Sequence, residues 1–278
     1  MADAIADQAD SVSLAPIPPA LLEHPAFAPY REHSLSLDAA CDLAWLPSAA
    51  VPRLVPPPPR ALGAMHFERR IVEQNELIVR PDNLHDTVNA LVWRVFPKTK
   101  RAISETHVAL GAAATANGRP RRRDILTLFD EAGALIISQR DDLQALHEAH
   151  EWKRLFVDHR AEFIRDCRVI LFGHGTLEQL ASNPHRGLTV KALWLRLPVA
   201  ADVSRIDAEL AERIDSGVQL TANERRLALP ILGIPGWFAE NDYPACYDDS
   251  TIFRPLPRLG KHRRTTPTAR VVTLSDLS

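Results

Sequence analysis

Proline placement constrains this chain more than any other feature. Eleven of its 22 prolines, Pro16, Pro18, Pro19, Pro25, Pro29, Pro47, Pro52 and Pro56 to Pro59, fall within the first 60 of 278 residues. Each proline fixes φ and lacks an amide donor, so long helices and sheet interiors are excluded there. Residues 1–60 are therefore predicted to be a proline-rich arm, partly extended, with the four consecutive prolines as a stiff spacer. A short helix around Ala39, Cys41, Leu43, Trp45 and Leu46 is the exception. Residues 61–258 are expected to form a single domain, and the basic residues 259–278 a flexible tail.

Within that domain the hydrophobic period changes several times. Leu84, Val88, Leu91, Val92 and Val95 recur with helical spacing, and Pro97 ends that helix. Ile103, His107, Leu110 and Ala114 mark a second helix, stopped by Asn117-Gly118. ILTLF and ALIIS flank Asp130-Glu131-Ala132-Gly133 and read as a β-hairpin. Asp141-Asp142 then opens a long helix to about Asp166, its apolar stripe completed by His150 and His159. RVILF reads as a strand. Gly173-His174-Gly175 is a turn, and Thr176 and Gln179 form a capping box for a helix. GLTVKALWLRL is another strand. A helix through Ile206, Leu210 and Ile214 closes at Gly217, and a second capping box pairs Thr221 with Glu224. The segment PILGIPGWFAENDYPACYDDSTIFRP is predicted to pack as an irregular aromatic strap. The order implies an α+β fold with a small mixed sheet, although a compact α/β sheet fits the same order.

Charge and cysteine content exclude several functions. A formal net charge of −2 gives no general attraction to nucleic acid or anionic lipid. The clusters Arg119, Arg121 to Arg123 and Lys261 to Arg264 lack interleaved stacking aromatics, so sequence-specific nucleic-acid reading is not expected. The three cysteines are scattered, with neither a disulfide framework nor a thiolate zinc pattern, which fits a reducing cytoplasm. No apolar run reaches membrane-spanning length. Gly-x-Ser-x-Gly, P-loop and Gly-x-Gly-x-x-Gly motifs are absent, and HEAHE at 147–151 lacks the second histidine of a zinc-protease helix.

Four segments, HDTVNALVWRVFPKTK, RDILTLFDEAG, LFGHG and LGIPGWFAENDYPACYDDSTIFRP, resemble those of a bacterial family, domain of unknown function 3025. The resemblance spans roughly residues 60–258 and implies a bacterial, cytosolic protein. It carries no reaction, cofactor or catalytic residue, so chemistry rests on the residues themselves.

Two histidines stand out. His85 and Asn89 lie one turn apart on a stripe continuing to Trp93 and Phe96, so both are predicted to face packed protein or a cleft. Asp86 suits the third position of a helix capped by Asn83, where the dipole favours a carboxylate. The His85-Asp86 pair also resembles that of HD phosphohydrolases, for which His66 and Asp130 could be nominated, although the spacing does not favour them. His174 sits at a strand-to-helix turn whose glycines permit close approach of a ligand. Asp130-Glu131 could form an acid pair or metal ligands, but such residues are more readily explained as turn formers, and Asp248-Asp249 in the strap shares the ambiguity.

Two functions follow. In the first, a small-molecule enzyme, a hydrolase with or without a divalent metal, uses His85 and His174 as acid/base groups or ligands, Asn89 to orient substrate, and Asp86 or Asp130 to assist. In the second, a non-catalytic scaffold binds a protein partner through the proline-rich arm and aromatic strap. The first requires the two imidazoles to meet; the second requires open apolar surface near Trp237 and Phe238.

Overall fold

The computed structural model describes residues 12–33, 51–59, 63–112, 121–182, 186–217 and 227–256. The predicted helix at residues 36–46, the Asn117-Gly118 stop, Arg119, the Thr221/Glu224 box and the basic tail lie outside these residues.

The fold is α+β. A mixed sheet is ordered β4-β3-β5-β6, from β3 (Gly133–Ile137), β4 (Arg168–Leu171), β5 (Thr189–Leu195) and β6 (Ala228–Pro230). The strand β3 pairs antiparallel with β4 and parallel with β5, which pairs antiparallel with β6. All five residues of β3 are buried, as its unbroken apolar run requires of a strand covered on both faces. A separate parallel pair joins β1 (Arg53–Val55) to β2 (Glu76–Ile78).

The arm does not simply extend. Pro19 starts the one-turn helix α1 (Pro19–Leu22), and Pro25 starts a 3-10 turn, Pro25–Tyr30. Both prolines occupy first-turn positions, where the missing N–H costs nothing. Ile17, Leu22, Ala26, Phe27 and Tyr30 are buried in the main core, and the Tyr30 hydroxyl donates to the Leu171 carbonyl at 2.5 Å.

The helix α2 (Ala64–Gln74) packs on the side, ending at Asn75 in the left-handed conformation (φ 55°). The predicted first long helix is α3 (Leu84–Val95), with Val88, Leu91 and Val92 fully buried. Next come α4 (Pro97–Ala112) and α5 (Arg121–Ala132). The helix α5 corrects the hairpin reading: ILTLF is helical, and only GALII is a strand. Ile125, Leu126 and Phe129 are buried while Leu128 is exposed, a helical spacing that alternation would not produce.

The expected helix from Asp141 to Asp166 is also broken. The helix α6 (Asp141–Glu148) stops near His150, whose φ is 56°; a π turn, Arg154–Asp158, precedes α7 (Arg160–Asp166). Its buried histidine is His147, not His150 or His159. The helix α8 (His174–Ser182) begins two residues before the expected capping box, so Thr176 lies within its first turn. The last helix, α9 (Val203–Asp215), is capped by the Asp202 side chain and closes at Gly217 (φ 69°), as expected. The aromatic strap does form: Asn241 Nδ2 donates to Leu232 and Ile234 carbonyls at 2.8 and 2.7 Å, and the Tyr247 hydroxyl donates to the Gly233 carbonyl. Among the described residues no helix is long and apolar enough to cross a membrane.

Candidate metal centre

Three helix termini meet at one place. Asn83 caps α3 by accepting from the Asp86 amide at 3.0 Å, which sets His85 in the first turn. Acidic residues Asp130 and Glu131 close α5, and His174 opens α8 directly after β4.

The two predicted histidines touch. Their ring centroids are 4.7 Å apart with an edge-on angle of 67°. His85 Nδ1 is 2.8 Å from Glu178 Oε2, and His174 Nδ1 donates to the Asp130 carbonyl at 2.8 Å. A carbonyl can only accept, so the His174 proton resides on Nδ1 and Nε2 presents its lone pair. That Nε2 is 3.5 Å from Glu131 Oε1. His85, Glu131 and His174 each offer a ligand atom, and these atoms all lie within 4.8 Å of one another. A tetrahedral ion with bonds of about 2.1 Å holds its ligand atoms roughly 3.4 Å apart, so the set needs only slight closure to grip one.

The glycines around His174 permit the close packing of this assembly. A Cβ on Gly173 would lie 2.5 Å from the Gly133 amide, and one on Gly175 would lie 2.5 Å from Glu131 Oε2. Their absence allows α8 to close against the end of α5, bringing Glu131 to the histidines.

Burial sets the charge states of the site. Burial pushes His174 down to about 4, with Lys100 and His85 adding to the effect against Asp130, so at neutral pH it is the uncharged ligand form. Burial also raises Glu131, and Asp130 and Glu178 reinforce it beyond what His85 and Lys100 offset.

A profile of the family described as "Protein of unknown function (DUF3025)" matches residues 54–257. The chain belongs to the DUF3025 family. No curated protein and no solved structure is detectably similar to it. All three ligand candidates of this DUF3025 chain lie inside the matched region.

The other predicted site residues of the DUF3025 chain fare differently. Asp86 belongs to the helix start: Arg80 binds its carboxylate through Nε, Nη2 and the backbone amide, each at 2.8 Å. Burial raises its pKa, but Arg80's bonds and charge more than reverse this and hold it below the ordinary carboxylate range. Asn89 has a buried Oδ1 without a hydrogen-bond partner, and no bond links it to the histidines among the described residues. His66 is exposed on α2, and Asp130 is paired with Lys100 at 2.5 Å, so the HD-type set does not assemble. In the sequence Glu131 reads with Asp130 as an acid pair or metal ligands but more readily as part of a turn, and Glu178 was not singled out. Its spacing of four from His174 on one helical face was the available signal.

Proposed function

We propose that this DUF3025 protein is a metal-assisted hydrolase acting on a small molecule, with a divalent ion held by His85, Glu131 and His174. The observation that carries the reading is the convergence of two imidazoles and a carboxylate whose atoms lie within 4.8 Å. The bonds behind them support it. Ligating histidines characteristically donate their second ring nitrogen to a carboxylate or carbonyl, and here Glu178 and the Asp130 carbonyl take those positions. Two histidines and a glutamate are the protein ligands of several hydrolytic zinc sites, which leave positions open for water and substrate. A bound ion would supply Lewis acidity and activate a water near neutral pH. In this reading His174 and Glu131 fix the ion, Glu178 orients His85, and Asp86 stays with Arg80. The free, unpaired Cys167 and Cys246 suit a bacterial cytoplasm.

The scaffold alternative has less behind it. Trp237 and Phe238 are half-buried and flank the His24 ring, at centroid distances of 5.6 and 5.4 Å.

The test is elemental analysis and equilibrium dialysis of full-length protein with zinc, manganese and iron, followed by hydrolysis of ester, amide and phosphoester panels. Stoichiometric metal is expected, with affinity lost in His85→Ala, His174→Ala and Glu131→Gln at unchanged circular dichroism. A folded wild-type protein that binds none of these metals refutes the proposal.

A further inference from the structure

Lys100 is a charged residue buried to 3% exposure on α4, beside the candidate centre but outside its ligand set. Its ammonium lies 2.5 Å from Asp130 Oδ1 and 5.8 Å from the centroid of the Trp93 ring. Asp130 immediately precedes Glu131 and offers His174 two acceptors. The backbone carbonyl is 2.8 Å from Nδ1, while carboxylate Oδ2 is 3.8 Å from the same nitrogen. The two oxygens compete for one proton, and the carboxylate, being charged, is the stronger acceptor. Lys100 holds that carboxylate off the ring, so the neutral carbonyl receives the proton.

A buried ion pair is often no more stabilising than an apolar pair of the same size. Stability alone therefore gives little reason for one here. Its position supplies a reason: it is anchored through one residue to both the Nδ1 edge of one ligand and the backbone of the next.

We propose that Lys100 and Asp130 form an outer latch of the metal centre, positioning residues that fix the His174 ring with Nε2 toward the ion and hold Glu131 beside it. The proposal rests on the metal reading above. It assigns Lys100 and Asp130 to setting metal affinity rather than to contact with substrate. Without Lys100, the Asp130 carboxylate loses its anchor and the α5 terminus is free to move, carrying the Asp130 carbonyl off His174 Nδ1 and Glu131 away from the two imidazoles.

Cobalt(II) serves as the probe, because its visible absorption reports ligand geometry. Wild-type protein, Lys100→Met, Asp130→Asn and the double variant are titrated with cobalt, then with zinc in competition, and thermal melts are recorded in parallel. Each single variant is expected to bind about 10- to 100-fold more weakly, as loss of an outer partner does, with a shifted cobalt band. The double variant is expected to be no weaker than the weaker single, because both residues act through one path. Should a single variant fail to fold, leaving one buried charge alone, the double, neutral at both positions, carries the test. Wild-type affinity and spectrum in the variants overturn the latch alone, as do losses that multiply in the double. Absence of cobalt binding by the wild type overturns the metal reading and the latch together.

Discussion

At Gly175 a single carbon atom separates a closed site from an open one. A Cβ there would sit 2.5 Å from Glu131 Oε2 and 3.1 Å from the Glu131 carbonyl. The flexible carboxylate would yield first. Gly175→Ala is therefore expected to weaken zinc binding about 10-fold or more, on the scale of displaced site groups, with only a small change in melting temperature; isothermal titration beside a thermal melt checks both. Asp86 should behave in the opposite way. Asp86→Ala removes the Arg80 clamp and the favourable charge in the first turn, so a stability loss of about 1 kcal/mol by urea titration is expected with zinc affinity unchanged. A fall in zinc affinity at constant fold would restore Asp86 to the site. These two residues also mark what could be read from sequence. The capping role of Asp86 was legible because local helix chemistry determines it. The partner of the histidines was not, because Glu131 reaches them through a close approach of two glycines to a different helix.

The start of α4 is secured from outside its own segment, unlike the locally capped α3 and α9. Pro97 opens α4, and the next two amides, of Lys98 and Thr99, donate to the Asp207 carboxylate of α9 at 3.0 and 2.8 Å. The Thr99 hydroxyl donates to the Asp207 carbonyl at 3.1 Å, and Asp207 is 2% exposed. Asp207→Ala strands the buried Thr99 N–H and the part-buried Lys98 N–H, so a loss of about 2 kcal/mol is expected in chemical denaturation; a neutral result would mean that water replaces the carboxylate. Such a cap, 108 residues away in sequence, leaves no local signature. The same holds for α5. ILTLF has strong β preference, yet it packs as a helix because the sheet position is taken by GALII, which pairs with both β4 and β5. The break at His150 was hidden for a related reason. Its strained backbone is held by contacts from the strap, where the Arg254 carbonyl accepts from His150 Nδ1 and Trp152 Nε1, each at 3.0 Å.

Across the whole molecule, acid sensitivity has a source outside the candidate ligand set, a buried imidazole that adds to the contribution of His174. His147 is fully buried, accepts from Trp194 Nε1 at 2.9 Å and donates from Nε2 to the Ala228 carbonyl. Burial, aided by the neighbouring His150, lowers it from 6.5 to about 4 despite the Ala228 carbonyl. The unfolded chain takes up this proton first, so the stability contribution is intact above pH 6.5 and declines as pH falls toward 4, by at most about 3 kcal/mol. Urea unfolding of wild type and His147→Gln at pH 7.5 and 5 is expected to show a smaller pH difference in the variant; equal differences would place the titration elsewhere. The mixed sheet and strap were legible because strand runs and Pro/Gly/aromatic clusters carry their own patterns. The arm was not, since proline content excludes long helices but says nothing about whether short turns dock. Phe27 is fully buried in the main core, and Phe27→Ala is expected to cost about 3–4 kcal/mol in urea unfolding. The bond from Tyr30 to Leu171 spans 141 residues and ends three residues before His174. During synthesis the amino-terminal turn therefore cannot complete this bond, and its aromatic rings lack this shelter, until Leu171 has left the ribosome.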